Sequence, residues 1–170
     1  SLCLNLANQC NLNCKYCYAD GGNYGHVESK MSTSVAQKGI NWFREHNGNQ
    51  IHVIFFGGEP LLNPKTIDDI LDENKSSLSY SINTNATLLE PQILEKLIRN
   101  NVKVSISIDG EKKTHDSQRV FKDNTPTYDV IVAKLKYIQQ ETMRKLWARV
   151  TVTNRTCSFY EDILSLIDIG

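Results

Sequence analysis

Apolar and polar residues alternate along this chain with two distinct periods. Leu2, Leu4 and Leu6 interleave with Cys3, Asn5 and Ala7, the period of a strand. Over residues 32–46, Val35, Ala36, Ile40 and Phe43 recur at helical spacing. Residues 51–56 are a mostly apolar and aromatic run that stops at Gly57-Gly58, the pattern of a buried parallel strand. Asn63-Pro64 predicts a helix start, an N-cap followed by proline at the first position, with Ile67, Ile70 and Leu71 on its covered side. Residues 79–83 predict a third strand, and Glu90-Pro91 opens a helix carrying Ile93, Leu94, Leu97 and Ile98. Residues 102–108 predict a fourth strand ending at Asp109-Gly110. A helix over 126–141 places Ile131, Leu135 and Ile138 on one side, Leu146, Ala148, Val150 and Val152 alternate as a fifth strand, and 159–169 predict a last helix.

This order is five βα units, which fits either a doubly wound sheet or a TIM-like barrel. A doubly wound sheet covers both faces of its strands. Here Val104, Ile106 and Ile108 face one way while Ser105, Ser107 and Asp109 face the other, and Ser81, Asn83 and Asn85 share a side of the third strand. One apolar and one polar face predicts an α/β partial TIM-like barrel, with helices outside and a ligand within. Functional loops then follow the C-terminal ends of strands. By the same alternation, Asn83, Asn85, Arg149 and Thr151 are candidates for lining the cavity.

Composition narrows the class. Nineteen basic and nineteen acidic residues balance among 170, so no basic excess points to nucleic acid. No apolar run approaches the roughly 18–20 residues of a membrane span, and no leader pattern precedes the first strand. A cytoplasmic domain with no membrane partner is expected. Five cysteines, three of them clustered, argue against a disulfide framework and for metal or redox chemistry in a reducing compartment. The chain starts inside an apolar run and stops just after a helical pattern, so residues 1–170 are expected to be one incomplete core domain of a longer protein.

The chemistry gathers in three stretches. Cys10, Cys14 and Cys17 have C-x3-C-x2-C spacing. Three thiols are one short of a closed tetrahedral zinc or ordinary iron–sulfur site, which leaves one position for an exogenous ligand. A zinc knuckle completed by His26 or Cys157 and buried inert thiols are the alternatives, although the spacing is unlike the paired C-x2-C units of zinc ribbons. Gly57-Gly58-Glu59-Pro60 follows the second strand: the glycines admit a ligand close to the backbone, and Glu59 offers a carboxylate to an ammonium group. Ser107-Ile108-Asp109-Gly110 is followed by His115 and by Arg119, which is suited to a bidentate carboxylate pair. His46 and His52 read as structural, Trp42 and Trp147 as candidate core residues, and Lys112-Lys113 as a solvated loop face. No residue stands out as a catalytic proton donor or acceptor.

With these stretches together, the chain resembles the radical SAM superfamily, in its peptide- and protein-modifying branch of SPASM-type maturases. The cysteine loop, with Tyr16 just before the third cysteine, matches the cluster motif of that family, and Gly57-Gly58-Glu59-Pro60 resembles its GGE motif. Ser107 to Gly110 with Arg119 is similar to its fourth-strand region. The resemblance runs from about residue 2 to residue 153; a sixth strand and any auxiliary-cluster domain are not in this stretch.

The resemblance implies that Cys10, Cys14 and Cys17 bind three irons of a [4Fe-4S] cluster whose fourth iron chelates S-adenosylmethionine (SAM). It places Tyr16 near the adenine, Gly57, Gly58 and Glu59 at the methionyl amino group, and Ser107 and Arg119 at the methionyl carboxylate or ribose. Reductive cleavage of SAM to a 5′-deoxyadenosyl radical, then hydrogen abstraction from a peptide or protein substrate, is the implied activity. A low-potential flavodoxin- or ferredoxin-like protein is the implied electron donor. A non-catalytic zinc- or iron–sulfur-binding module is the alternative.

Overall fold

The computed structural model describes residues 1–48, 50–74, 78–142, 146–154, 156 and 158–170. The elements run β1 (Leu2–Ala7), α1 (Thr33–Asn47), β2 (Ile51–Gly57), α2 (Pro64–Glu73), β3 (Leu78–Thr84), α3 (Pro91–Arg99), β4 (Lys103–Ser107), α4 (Lys112–Gln118), α5 (Tyr128–Thr142), β5 (Trp147–Arg149) and α6 (Phe159–Ile169). A single 3-10 turn, Pro60–Leu62, follows β2. All four strand pairings are parallel, in the order β1-β2-β3-β4-β5. A doubly wound sheet reverses its strand order at a switch point; each strand here lies beside the next in sequence, as in the wall of a barrel. The architecture is the expected partial TIM-like barrel.

Alternation decides which face is which. Leu4 and Leu6, Val53 and Phe55, Tyr80 and Ile82, and Val104 and Ile106 are buried in one core with Ile40, Ile70, Leu97 and Ile131 from the helices. Each such large side chain contributes about 2 kcal/mol on leaving water. On the opposite face Asn5 is level with Phe56, Ile54 with Ser81, Asn83 with Ser105, and Ser105 with Trp147, so polar side chains of β1, β3 and β4 alternate there with apolar and aromatic ones from β2 and β5.

Local signals set most element ends. The Ser32 hydroxyl accepts the Val35 N–H at 3.3 Å and starts α1. Gly48, at φ 79°, ends it by donating its N–H to the Arg44 carbonyl. Asn63 precedes α2 as expected, but its side chain does not cap that helix. It donates instead to the carbonyls of Leu6 at 2.9 Å and Met31 at 2.8 Å, joining β1 to the return of its loop.

Three expectations are corrected. The fifth strand does not reach Val152: it pairs only from Trp147 to Arg149, because the Thr151 N–H turns to the Asp109 side chain at 2.9 Å instead of a strand carbonyl. Trp42 and Trp147 are surface residues at 60% and 67% exposure, and Trp42 stacks on His46. Lys112-Lys113 is no loop but the first turn of α4, where Lys112 pairs with Asp116 and Asp129. Among the described residues no helix is long and apolar enough to cross a membrane.

Candidate functional site

The loops after β1, β2, β3, β4 and β5 enclose one cavity of about 340 Å³. Cys10, Cys14, Tyr16, Cys17, Gly57, Gly58, Glu59, Ser107 and Arg119 all line it, as do Asn83, Asn85, Arg149 and Thr151. Every site residue expected from the sequence thus reaches one space, although up to 109 residues separate Cys10 from Arg119 along the chain.

The cysteine loop is held from two sides. The N–H groups of Asn13 and Lys15 donate to the carbonyls of Val120 and Gln118, both at 2.8 Å, and the Cys17 N–H closes a turn on the Cys14 carbonyl at 3.0 Å. On the other side Gly58 and Glu59 donate their N–H groups to the carbonyls of Ala7 and Gln9, both at 2.9 Å. The glycines serve this contact between backbones. A Cβ on Gly57, at φ 151°, would lie 2.6 Å from the Ala7 carbonyl oxygen, and one on Gly22 would lie 2.5 Å from the Gly58 Cα. Three chain segments meet there without side chains, a requirement in addition to ligand access.

The sulfurs already receive donors. Cys10 Sγ accepts the Leu12 N–H at 3.4 Å and the Asn85 Nδ2–H at 3.7 Å, and Cys14 Sγ accepts from Arg119 Nη1 at 3.9 Å. Burial pushes the Cys10 thiol up to about 12, with the Leu12 N–H opposing. Burial also raises Cys14, with the Arg119 guanidinium opposing. Uncomplexed, both are thiols, so metal binding must displace their protons. Among the described residues no three His, Cys, Asp or Glu side chains converge on a single ion. Three sulfurs lining one cavity fit a cluster, which offers each thiolate its own iron. His26 lines a separate groove with Asn8 and Lys30, not the cavity that the three cysteines line. Cys157 lies outside the described residues.

Glu59 is fully covered and triply bonded. Its Oε1 accepts the Thr84 hydroxyl at 2.7 Å and the Leu61 N–H at 3.0 Å, and its Oε2 accepts the Asn85 N–H at 2.8 Å. Burial pushes its carboxyl up to about 7, against these hydrogen bonds and the Arg119 charge. An ionised carboxylate has about four acceptor positions. Three are used, and one remains for a donor in the cavity.

Ser107 faces the cavity, whereas Asp109, expected on the same face, is tucked beneath it at 1% exposure. Its Oδ2 accepts the Tyr16 hydroxyl at 2.6 Å and Arg119 Nε at 2.9 Å. Arg119 was expected to grip a ligand carboxylate; its first partner is Asp109 of this chain, through Nε alone, so its terminal nitrogens still reach the cavity. Its guanidinium also lies 5.2 Å from the Tyr16 ring centre. His115 is inside the protein, out of the cavity. Its Nδ1 accepts the Asp109 N–H at 3.2 Å, so its proton is on Nε2, which bonds the Thr127 hydroxyl at 2.9 Å. Burial, aided by Arg119, pushes His115 down to about 4, so the ring is neutral. Asp109, Thr84 and His115 are the supporting residues that sequence alone did not assign. The signals were that Asp109 shares a strand end with Ser107 and that His115 follows in the same stretch.

Residues 4–159 match the family model described as the radical SAM superfamily. An uncharacterised protein of Methanocaldococcus jannaschii is 36% identical over 98% of this chain and 57% of its own length. A cysteine-type anaerobic sulfatase-maturating enzyme of Clostridium novyi is 25% identical over 92% of this chain and 44% of its own. A solved structure, native anSMEcpe with bound AdoMet and Cp18Cys peptide, superposes with a TM-score of 0.81 at 19% identity, over 98% of this chain and 47% of that one. At that identity the likeness is one of fold. The chain spans about half the length of these relatives.

Proposed function

The chain belongs to the radical SAM superfamily, whose enzymes use a [4Fe-4S] cluster and SAM, and from that premise we propose that it forms the core of an enzyme that modifies a peptide or protein. The observation that carries this reading is the meeting of Cys10, Cys14, Cys17, Glu59, Ser107 and Arg119 around one cavity at the strand ends. The peptide or protein substrate is supported by the likeness to a sulfatase-maturating enzyme.

In this reading Cys10, Cys14 and Cys17 hold three irons, and their protons leave when the metal binds. When bound, the cluster and SAM supply one-electron reductive cleavage of a carbon–sulfur bond and hence hydrogen abstraction. The protein binds, orients and shields. Glu59 uses its remaining acceptor position for the methionyl ammonium, while Gly57 and Gly58 let the ligand approach the backbone. Ser107 and the part of the Arg119 guanidinium not turned to Cys14 take the carboxylate or ribose. Tyr16, at the cavity wall, packs against the adenine. Arg149 and Asn83 on the remaining wall face the substrate. Electrons come from a flavodoxin- or ferredoxin-like donor in a reducing compartment.

Anaerobic reconstitution tests this. The protein should turn brown with about four irons and four sulfides at this site, and the EPR signal of its reduced form should change when SAM is added. Cys14→Ala should lose both the cluster and 5′-deoxyadenosine formation. A colourless protein holding one zinc, or a Cys14→Ala variant that still cleaves SAM, would sink the reading.

A further inference from the structure

Asp109 touches neither the cavity nor a cysteine, yet it binds three segments that surround them. Its Oδ2 holds the Tyr16 hydroxyl of the cysteine loop and Arg119 Nε, its Oδ1 holds the Thr151 N–H beyond β5, and its own N–H is fixed by neutral His115. The second end of the Arg119 guanidinium points at Cys14 Sγ, 3.9 Å from Nη1. The guanidinium is planar, so a carboxylate that fixes Nε also fixes the direction of Nη1. Arg119 is 7% exposed and Asp109 1%, so each needs the other to be buried as an ion.

We propose that Asp109 is a positioning residue for the cluster, acting through Arg119: it aims one guanidinium N–H at the sulfur of Cys14 and clamps the loop that carries that sulfur through Tyr16. The proposal rests on the reading of Cys14 as a cluster ligand. A hydrogen bond and a positive charge at a ligand sulfur stabilise the added electron of the reduced cluster, and so raise its reduction potential. Asp109 thereby tunes the electron-transfer step without contact with iron, cofactor or substrate.

The test compares wild type, Asp109→Asn, Arg119→Gln and the double variant of the full-length protein, reconstituted anaerobically, with the cluster midpoint measured by EPR-monitored titration. Arg119→Gln, which removes both donor and charge, is expected to move the midpoint in the negative direction; Asp109→Asn is expected to move it the same way by a smaller amount, because the lost aim of Nη1 at Cys14 is partly offset by the removal of one anion. The double variant is expected to move it less than the sum of the two single shifts, since with Arg119 gone Asp109 has no guanidinium to aim and keeps only its hold on Tyr16. An Asp109→Asn midpoint equal to wild type, or two shifts that add, overturns the proposal while leaving the cysteine reading intact. A wild-type protein that takes up no cluster overturns the cysteine reading, and the proposal with it. Where Asp109→Asn does not fold, Tyr16→Phe deletes one hydroxyl and keeps the ion pair. Amide hydrogen exchange over residues 14–17 is then expected to quicken about tenfold, and unchanged exchange overturns the clamp.

Discussion

Oε2 of Glu59 accepts the backbone N–H of Asn85 at 2.8 Å, which ties the end of β2 to the end of β3 directly under Cys10. With Thr84 and Leu61 on its other oxygen, the carboxylate is held in one orientation, and its charge has a single direction left to serve. Glu59→Gln should therefore weaken SAM binding to the reconstituted protein by about 2 kcal/mol, a roughly 30-fold rise in Kd. Iron content should not change. Equilibrium dialysis with labelled SAM checks this, and unchanged affinity would contradict the ammonium role.

Gly58 packs against Gly22 and the Gln9 backbone, where a Cβ would lie 2.8 Å from the Gly22 Cα. Backbone cannot yield as the tip of a side chain can. Gly58→Ala should cost about 3 kcal/mol and lower the thermal midpoint by about 10 °C. A differential scanning calorimetry midpoint within about 2 °C of wild type would show that the three segments are not locked together.

His115 carries a pH signature. Its folded value is about 4, below the ordinary 6.5, so the unfolded chain binds more protons between those limits. The stability it contributes is present above pH 6.5 and is lost as pH falls toward 4, by about 3 kcal/mol in all. Glu59, raised to about 7 from 4.5, acts with the opposite sign: its contribution is present below 4.5 and is lost as pH rises to 7. The two partly cancel in wild type. The difference between wild type and His115→Asn, from urea denaturation at pH 4.5 and pH 7, isolates the histidine. Asn can still accept the Asp109 N–H, and the stability gap should be larger at pH 7 than at pH 4.5. A gap independent of pH would mean that the ring takes up its proton in the fold as it does in the unfolded chain, so that burial does not hold it neutral.

Much of this site was legible because its motifs are local. C-x3-C-x2-C, Gly-Gly-Glu-Pro and Ser-Ile-Asp-Gly each lie within a few residues, each follows an apolar run, and a parallel βα order sends all such loops to one end. Alternation on β4 likewise separated Val104 and Ile106 from Ser105 and Ser107, as the buried core confirms. Periodicity failed where the chain left its ladder: Val150 and Val152 keep the alternation of a strand after the backbone has turned to Asp109. It failed also at the short helix α4, whose seven residues carry too little apolar pattern to register.

The sequence by itself determined the order of the five βα units, the covered face of the strands and the stretches that supply chemistry, since these depend on spacing within one turn or one strand. Only the tertiary structure decided what those groups touch. Asp109 pairs with Tyr16 across 93 residues and with Thr151 across 42, and Glu59 bonds Asn85 across 26. A single carboxylate can satisfy any donor that the fold brings within 3 Å, and no local pattern encodes which one arrives. The assignment waits on strand register and on burial, which makes an unpaired charge too costly to keep. That is why Arg119, an open cation in the sequence, is in the folded chain an ion held by Asp109 and turned toward Cys14.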